Sequence, residues 1–337
     1  MTDAAPTLPR FAAGDGLRAR FPVDLAADAA AIAAVANASL AAAGELAREN
    51  AADTVVGLTH RTHGDSRTDL VLVERAGDAV AYVDVEWRDH ASGALELQIS
   101  MARLPEPELA VVAARLLDWA FARGRQLASG QPPGRARWFA AWCSDGEGWT
   151  RQTLTAAGFV PERHFMLLVR PRLDDLTTPP PLPTDLEVRP AQPAHRRAIW
   201  AADVEAFRDH WGTPDTSEAA FERFVQESAQ RLDLWQVAWA GDEVAGHVLV
   251  AVDESENAAL GVSRAWLDSV AVRRPWRRRG LATSLVVRAL HAIRDAGYES
   301  AVLGVDAANP QDALDLYRRV GFEIASSATA YRRPFDP

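Results

Sequence analysis

The sequence contains no lysine, so all of its 36 basic side chains are arginine. This absence excludes acetylation of the chain's own lysine side chains. A single cysteine, Cys143, excludes an internal disulfide and any zinc site built on paired cysteines. No base partner for its thiol is evident, so we interpret Cys143 as a small buried residue rather than a nucleophile. We expect no metal.

Positive charge is scarce relative to negative charge, and the formal net charge is -10 at pH 7. This balance argues against a nucleic-acid partner. Long apolar runs are scarce as well, and we expect no window to reach the roughly 18 apolar residues that a membrane span needs. We therefore predict a cytoplasmic protein that does not bind a membrane.

What the sequence does contain is enough chain for two domains. Its 337 residues are 48% hydrophobic, and single domains usually run to about 100–200 residues. The proline-rich stretch at residues 177–184 can form neither a helix nor a central strand. We predict an N-terminal domain over residues 1–176, a linker over residues 177–184 and a C-terminal domain over residues 185–337.

The two predicted domains repeat one pattern. An Ala-Gly-Asp turn at Gly77, and again at Gly241, stands between two alternating apolar runs, which predicts a β-hairpin in each half. Later in each half a helical pattern ends at a Gly-Phe pair, first at Gly158 and then at Gly321. Two copies of one α/β unit are the simplest interpretation.

The most informative segment lies in the second copy, where a strand, a tight turn and a helix follow one another. Residues 267–272 form an apolar run, and residues 283–296 carry apolar positions at helical spacing. The turn between them includes Gly280, which lets the backbone approach a ligand closely. The helix that follows presents unpaired N–H groups at its positive end. This order predicts a cradle for pyrophosphate.

The residues that follow complete a family pattern, with a short buried strand at 301–305 and a helix at 311–320. The positions that carry the pattern are Arg277, Gly280, Ala282, Asn309, Ala313, Leu316, Tyr317, Gly321 and Phe322. This ordered set resembles the GNAT family of acetyltransferases. The resemblance implies an α/β (α+β) fold of two tandem GNAT-like domains, each a mixed, mostly antiparallel central sheet flanked by helices. It also implies acetyl-CoA as the co-substrate.

The resemblance further implies a set of contacts with acetyl-CoA. Backbone groups of the strand would pair with the pantetheine arm, and the turn with the first helical residues would hold the pyrophosphate. The implied residues are Val270, Ala271, Val272, Arg277, Arg278, Arg279, Gly280, Leu281, Ala282, Thr283, Asn309 and Ala313. An ordinary Asn-Pro turn would explain Asn309 as well.

Direct acetyl transfer to an amine needs an acid for the departing thiolate and a base for the amine. The family pattern implies that Tyr317 is the acid, although packing at helical spacing also explains a tyrosine there. Several relatives have a glutamate where this chain has Trp266. Asp268 lies two residues further, on the same face of a regular strand as Trp266, Val270 and Val272. We take Asp268 as the candidate base, with Glu205 as a further catalytic candidate. The candidate acceptor-binding residues are Asp209, His210, Trp211 and Trp266.

The first copy lacks these features. Its turn after the strand at 95–101 contains no glycine and carries two carboxylates, Glu106 and Glu108, which would repel a pyrophosphate. Leu154 stands where the second copy has Tyr317. We therefore predict a degenerate N-terminal domain.

The resemblance implies an acetyl-CoA-dependent N-acetyltransferase that acts by direct transfer on the primary amine of a small molecule, with catalysis in the C-terminal domain. The acidic net charge favours a cationic acceptor. The tandem layout is also similar to that of mycothiol synthase, which implies acetylation of a cysteinyl amino-sugar glycoside as an alternative. A non-catalytic acyl-CoA sensor or scaffold is an alternative of another class. We expect a monomer or a homodimer.

Overall fold

Two units divide the chain, and the chain leaves the first unit and later returns to it. In this computed structural model, unit 1 extends to Phe165 and resumes at Ser326, whereas unit 2 runs from Met166 to Ala325. The structure describes residues 7–45, 49–59, 61, 63–90, 93–208, 216–226, 230–307 and 313–335.

Unit 1 alternates strands and helices before the chain crosses into unit 2. Its elements are β1 (Leu17–Arg20), α1 (Leu25–Ala42), α2 (Ala51–Thr59), α3 (Ser66–Asp69), β2 (Leu70–Arg75), β3 (Asp78–Asp89), β4 (Leu95–Arg103), α4 (Ala110–Ser129), β5 (Arg137–Ser144), α5 (Gly148–Ala156) and β6 (Val160–Arg170). The last part of β6, from Met166 on, belongs to unit 2.

Unit 2 repeats the same kinds of element. They are β7 (Glu187–Arg189), α6 (Arg196–Ala206), α7 (Glu218–Gln226), β8 (Gln236–Ala240), β9 (Glu243–Ala251), α8 (Glu254–Leu260), β10 (Arg264–Val272), α9 (Leu281–Asp295), β11 (Ser300–Asp306), α10 (Ala313–Arg319) and β12 (Glu323–Pro334). From Ser326 on, β12 belongs to unit 1.

Each unit is built on a mixed, mostly antiparallel sheet, as predicted. In unit 1 the strand order is β1-β2-β3-β4-β5-β12, in which β4 and β5 run parallel and the other pairs antiparallel. In unit 2 the order is β7-β8-β9-β10-β11-β6, and β10 and β11 run parallel. Helices α1 and α4 contact β3 and β4, and helices α6 and α9 contact β9 and β10. The predicted α/β (α+β) class is therefore confirmed.

Local sequence signals account for several of these elements. The predicted hairpins are β2–β3 and β8–β9, whose turns use left-handed backbone at Gly77 (φ 99°) and Gly241 (φ 61°). Helix α9 buries Leu285 and Leu290 on one stripe and is followed by Gly297 with φ 94°. The stripe places α9 against the sheet of unit 2 and so fixes the position of the turn before it.

Helix α1 corrects one expectation from the sequence. Its 18 residues have a mean hydropathy of 1.6, so by length and composition this helix could cross a membrane, contrary to the prediction that no such window exists. The apolar character comes mostly from alanine and is spread around the helix. In unit 1, Asp24 caps its first turn, and the helix buries Ala29, Ile32 and Val35 against the sheet. This packing is typical of a core helix.

The proline-rich stretch at residues 177–184 lies inside unit 2. Leu182 packs against the core of that unit, and the Ser284 hydroxyl donates to the Pro180 carbonyl at 2.7 Å. His291 Nε2 lies 2.9 Å from the Thr177 carbonyl. The stretch that the sequence predicts as a linker therefore packs against α9.

The C-terminal part of β12 completes the sheet of unit 1. It pairs antiparallel with β5, from Ala328 opposite Ser144 to Pro334 opposite Trp138. Tyr331 of this strand is buried in the core of unit 1. Unit 1 is therefore built from two segments of chain that are far apart in sequence.

Candidate active site

The strand, tight turn and helix that the sequence predicts around Gly280 are β10, the turn before α9, and α9 itself. Arg278 and Gly280 both adopt left-handed conformations, with φ of 59° and 79°. The first helical hydrogen bond of α9 runs from the Ser284 N–H to the Gly280 carbonyl at 3.1 Å. The N–H groups of the preceding helical residues therefore point out of the helix end, where the helix dipole favours an anion.

A cleft of about 490 Å³ opens beside this turn. Seven of the predicted acetyl-CoA contacts line it, namely Val272, Arg277, Arg278, Gly280, Leu281, Ala282 and Thr283. Trp276 and two residues of α10, Leu316 and Arg319, complete the lining. Ala313 is half-buried at the start of α10, and Asn309 lies outside the described residues.

The arginines of the turn divide into two kinds. Arg277 turns inward: its Nε donates to the Val272 carbonyl at 2.8 Å and its Nη2 to the Ala206 carbonyl at 3.0 Å. The guanidinium of Arg279 instead holds Asp185 through two hydrogen bonds, which keep the pKa of that carboxyl below its ordinary value. These two side chains shape the turn and are already engaged.

Arg278 and Arg319 are the guanidiniums available to a ligand in the cleft. Both are exposed, and neither forms a hydrogen bond or ion pair with another of the described residues. The sequence motif included Arg278 but not Arg319, because Arg319 comes from α10, where two consecutive arginines look like an ordinary basic helix end.

Strands β10 and β11 separate beyond their first few residues. Their parallel ladder joins Arg264 to Ser300, Ala265 to Ala301 and Trp266 to Val302, and the described residues form no further pairs between the two strands. On its other side β10 stays paired with β9 as far as Val272. Backbone groups of β10 after Trp266 therefore face an opening, where an extended amide-bearing chain can add like a strand. This is where the pantetheine contacts Val270, Ala271 and Val272 were predicted.

A β-bulge in β10 corrects the prediction for Asp268. Leu267 lies opposite Val250 and Ser269 lies opposite Leu249, so Asp268 is the extra residue. The bulge reverses the alternation, because Trp266 and Ser269 now share one face while Leu267 and Val270 share the other. The expectation that Asp268 shares a face with Trp266 and Val270 is therefore wrong. Its side chain is exposed at the bulge.

The bulge brings together a polar cluster that the sequence did not reveal: Asp203 of α6, His247 of β9 and Ser269 of β10. The Ser269 hydroxyl donates to Asp203 Oδ1 at 2.5 Å, and His247 Nε2 lies 2.9 Å from the same oxygen. Ser269 Oγ and His247 Nε2 are 3.4 Å apart. The signals were a histidine within an otherwise apolar strand and an aspartate beside the buried positions Ile199 and Ala202 of α6.

Burial differs sharply within this cluster. The His247 side chain is 1% exposed and the Asp203 side chain 27% exposed. His247 Nδ1 is buried without a partner among the described residues. A buried N–H without an acceptor is costly, so we assign the ring proton to Nε2, which then donates to Asp203. The Asp203 carboxylate is thus partly exposed, and the Ser269 hydroxyl and the His247 Nε2–H orient it through hydrogen bonds.

The predicted acid, Tyr317, is 7% exposed on α10. Its ring packs edge-on against Phe322, with the centroids 5.8 Å apart. Burial raises the pKa of Tyr317 to about 12, so the phenol is protonated at neutral pH. The side chain is thus a protonated core residue of unit 2.

The remaining predicted residues have partners of their own. Glu205 accepts a hydrogen bond from Arg273 Nε at 2.7 Å, in a half-exposed ion pair. Trp266 donates from its indole N–H to Glu256 at 3.0 Å, and Glu256 is paired with the buried Arg264. The candidates Asp209, His210 and Trp211 lie outside the described residues.

The corresponding turn of unit 1 is built differently. Arg103 Nη1 donates to the carbonyls of Leu104 and Glu106 at 2.9 and 2.8 Å. Its guanidinium lies 4.7 Å from the ring centre of Trp149, and burial lowers its pKa. The turn of unit 1 that leads into α4 thus contains no glycine, and the Arg103 side chain lies across it.

Comparisons with known proteins agree with this geometry. Residues 196–322 match the family model described as the acetyltransferase (GNAT) family. The chain is 29% identical over 202 residues to a mycothiol acetyltransferase of Parafrankia sp. (strain EAN1pec), covering 53% of this chain and 61% of that protein. It is 26% identical over 117 residues to N-alpha-acetyltransferase 50 of Danio rerio, covering 34% of this chain and 67% of that protein. The chain thus spans about two thirds or less of the length of these relatives.

Solved structures resemble the whole chain. A GCN5-related N-acetyltransferase from Sphaerobacter thermophilus matches with a TM-score of 0.77 and 25% identity, covering 98% of both chains. A tandem GNAT protein from the clavulanic acid biosynthesis pathway matches with a TM-score of 0.67 over 95% of this chain and 99% of that chain, at 14% identity. The fold of the two units is therefore that of tandem GNAT proteins, as the sequence predicted.

Proposed function

Because residues 196–322 match the model of the acetyltransferase (GNAT) family, we propose that this chain transfers the acetyl group of acetyl-CoA to the primary amine of a small molecule and that unit 2 performs the reaction. Proteins of this family use acetyl-CoA as their co-substrate. The observation that carries the proposal is the opening between β10 and β11 in the same unit as the anion-binding turn before α9.

The chain's own groups suit a ligand with phosphates at one end and amides along its arm. Arg278, Arg319 and the N–H groups at the start of α9 supply positive charge and donors for the phosphates. The open edge of β10 supplies backbone donors and acceptors for the amides. The arm would therefore run from the turn toward the bulge at Ser269, which becomes the place of reaction.

Tyr317 is the proposed acid for the departing thiolate. A proton transfer from a phenol of pKa about 12 to a thiolate of ordinary pKa, about 8.5, is uphill by about 5 kcal/mol. The low-polarity surroundings that raise the pKa of Tyr317 also raise the pKa of a thiol placed beside it, which reduces the difference between the two pKa values. Tyr317 then donates its proton as the carbon–sulfur bond breaks.

The acceptor is proposed to be a cationic amine, since the net charge of -10 favours positively charged ligands at long range. A mycothiol-type acceptor, a cysteinyl amino-sugar glycoside, is the second candidate. The observation that favours it is the similarity to the mycothiol acetyltransferase over 202 residues. The proposed base is a carboxylate, and Asp268 and Glu205 are the two that the sequence suggests.

The test is release of free CoA from acetyl-CoA with a panel of amines: spermidine, tobramycin, glucosamine, a cysteinyl amino-sugar glycoside and a short peptide with a free α-amino group. A thiol reagent can follow the release with the amines that carry no thiol, because Cys143 is buried and burial raises its pKa to about 12. The cysteinyl glycoside has a thiol of its own, so with this acceptor the free CoA is separated by chromatography and quantified. Release that depends on one of these amines supports the proposal. Tight acetyl-CoA binding without release from any amine would favour a sensor or scaffold instead.

Gly280→Glu provides an inactive control. A Cβ at this position meets no atom within 4 Å, so the change acts through negative charge and backbone strain at φ 79°, not through a clash. Gly280→Asn is the matched variant, since asparagine tolerates the left-handed conformation better than other residues with a side chain. If the Gly280→Glu variant still releases CoA, the turn does not hold the phosphates.

A further inference from the structure

We propose that Asp203 is the base of the acetyl transfer and that His247 and Ser269 hold its carboxylate in position. This inference rests on the proposed function and deepens it, because it identifies the base and the place where the acceptor amine binds. The polar cluster of Asp203, His247 and Ser269 replaces Asp268 and Glu205 in that role.

The bulge in β10 gives the cluster its position. Because the alternation reverses at Asp268, Ser269 points to the face that carries α6, together with Trp266 and with His247 of β9. Without the extra residue, Ser269 would point to the opposite face and its hydroxyl would not reach α6. The bulge lies where β10 has lost β11 as a neighbour, so the cluster stands beside the opening for the pantetheine arm.

The two donors fix one carboxylate oxygen of Asp203. Oδ1 accepts from the Ser269 hydroxyl at 2.5 Å and faces His247 Nε2 at 2.9 Å. The Asp203 side chain remains 27% exposed, whereas that of His247 is 1% exposed. An incoming amine therefore meets the carboxylate and not the imidazole. Asp203 is the catalytic residue in this arrangement, and His247 and Ser269 are positioning residues.

The rival carboxylates are less well placed. Glu205 is held by Arg273 at 2.7 Å, so its charge is already balanced by a cation. Asp268 is exposed at the bulge, where the register of β10 against β9 shifts between Leu267 and Ser269, so its side chain does not share the face that carries Ser269 and His247. Glu256 is bound by Trp266 and Arg264. Asp203, by contrast, is oriented by a hydroxyl and an imidazole.

The proton and electron balance is simple. The acceptor reacts as the free amine, whose lone pair forms the carbon–nitrogen bond while the carbon–sulfur bond breaks. The nitrogen gains positive charge as it attacks and gives one proton to Asp203. Tyr317 gives one proton to the leaving thiolate. Asp203 then loses its proton to solvent and Tyr317 regains one, so the products are the amide and the free thiol.

The decisive variant is Asp203→Asn, which keeps the shape and an acceptor oxygen but removes the charge and the basicity. We expect kcat to fall by about 10²- to 10⁴-fold, with an unchanged Kd for acetyl-CoA measured by calorimetry. Asp242→Asn, the same chemical change in the exposed β8–β9 turn, is the matched control and should leave kcat unchanged. The amine is the panel member with the highest kcat/KM for the wild type.

The positioning residues have their own readout. His247→Leu removes the imidazole donor, and His247→Gln retains an N–H that can reach Asp203. We expect kcat to fall about tenfold or more in the first variant and to be partly restored in the second, with the Kd for acetyl-CoA unchanged in both. Ser269→Ala should lower kcat in the same way. A merely structural role would lower the thermal unfolding midpoint without a difference in kcat between the two His247 variants.

The possible outcomes separate this inference from the proposed function. If the wild-type protein does not release CoA with any amine of the panel, the proposed function is overturned and this inference with it. Wild-type turnover that Asp203→Asn leaves intact, or a loss confined to Asp268→Asn, overturns only the assignment of Asp203. If Asp203→Asn fails to fold, Ser269→Ala decides, because a normal kcat in that variant also overturns the assignment.

Discussion

Removing either guanidinium that faces the cleft should weaken acetyl-CoA binding without disturbing the fold. Arg278 and Arg319 are exposed and line the cleft without bonds to other described residues, so their loss leaves no protein group unpaired. A hydrogen bond from a charged donor contributes about 1.5–3 kcal/mol, and exposure to solvent reduces this to about 1–2 kcal/mol. We therefore expect Arg278→Ala and Arg319→Ala each to raise the Kd by about 5- to 30-fold.

Calorimetric titration with acetyl-CoA measures this change. Arg294→Ala, on the exposed far end of α9 and paired with Asp295, is the control and should bind normally. Salt should also weaken wild-type binding more than binding to either cleft variant, because fewer charge contacts remain to be screened. Arg279→Ala distinguishes the sequence motif from the structure. The motif implies that Arg279 contacts the cofactor, whereas in the structure its side chain holds Asp185 instead of lining the cleft. Normal affinity in both Arg278→Ala and Arg319→Ala would refute the assignment of the cleft to the phosphates.

Three further predictions follow from the same geometry. Tyr317→Phe should lower kcat by about 10²-fold or more with an unchanged Kd for acetyl-CoA. In steady-state assays the wild-type kcat should not fall through loss of the Tyr317 proton until the pH approaches about 12. Equal kcat in both proteins would show that Tyr317 is not the acid. Gly280→Ala should lower the thermal unfolding midpoint more than Gly280→Asn, because a left-handed residue costs roughly 1–2 kcal/mol, and equal midpoints would contradict this. Titration should saturate at one acetyl-CoA per chain, since Arg103 lies across the turn of unit 1, whereas two equivalent sites would show that unit 1 keeps a site of its own.

The parts of the fold that the sequence predicted are those that local signals determine. The hairpins at Gly77 and Gly241 follow from turn chemistry between alternating apolar runs, and α9 follows from apolar spacing and the glycine at its end. The turn at Gly280 was predicted from a glycine between an apolar run and a helical pattern, and in the structure this glycine is left-handed.

The bulge at Asp268 could not be predicted in this way. One extra residue in a strand leaves the composition of the apolar run unchanged, yet it reverses which side chains share a face. The prediction for Asp268 assumed strict alternation and was wrong on that point. Since the bulge decides which residues meet α6, strict alternation along β10 could not predict the polar cluster.

The polar cluster depends on contacts between residues that are distant in sequence. Asp203, His247 and Ser269 come from a helix and two strands, and no spacing rule connects them. A histidine in an apolar strand was visible in the sequence, but its partner depends on how α6 packs on the sheet. Arg319 was missed for a similar reason, because its place in the cleft depends on the packing of α10.

The return of β12 to unit 1 has a consequence for how the protein is made. Strand β5 must wait for a partner that lies roughly 190 residues further along the chain, which at about 5–20 residues per second takes about 10–40 s of synthesis. Throughout that time one edge of β5 is unpaired, and an unpaired edge invites association with other chains. Unit 2 begins later in the sequence but holds all of its strands first. The nascent chain should therefore complete its second unit before its first.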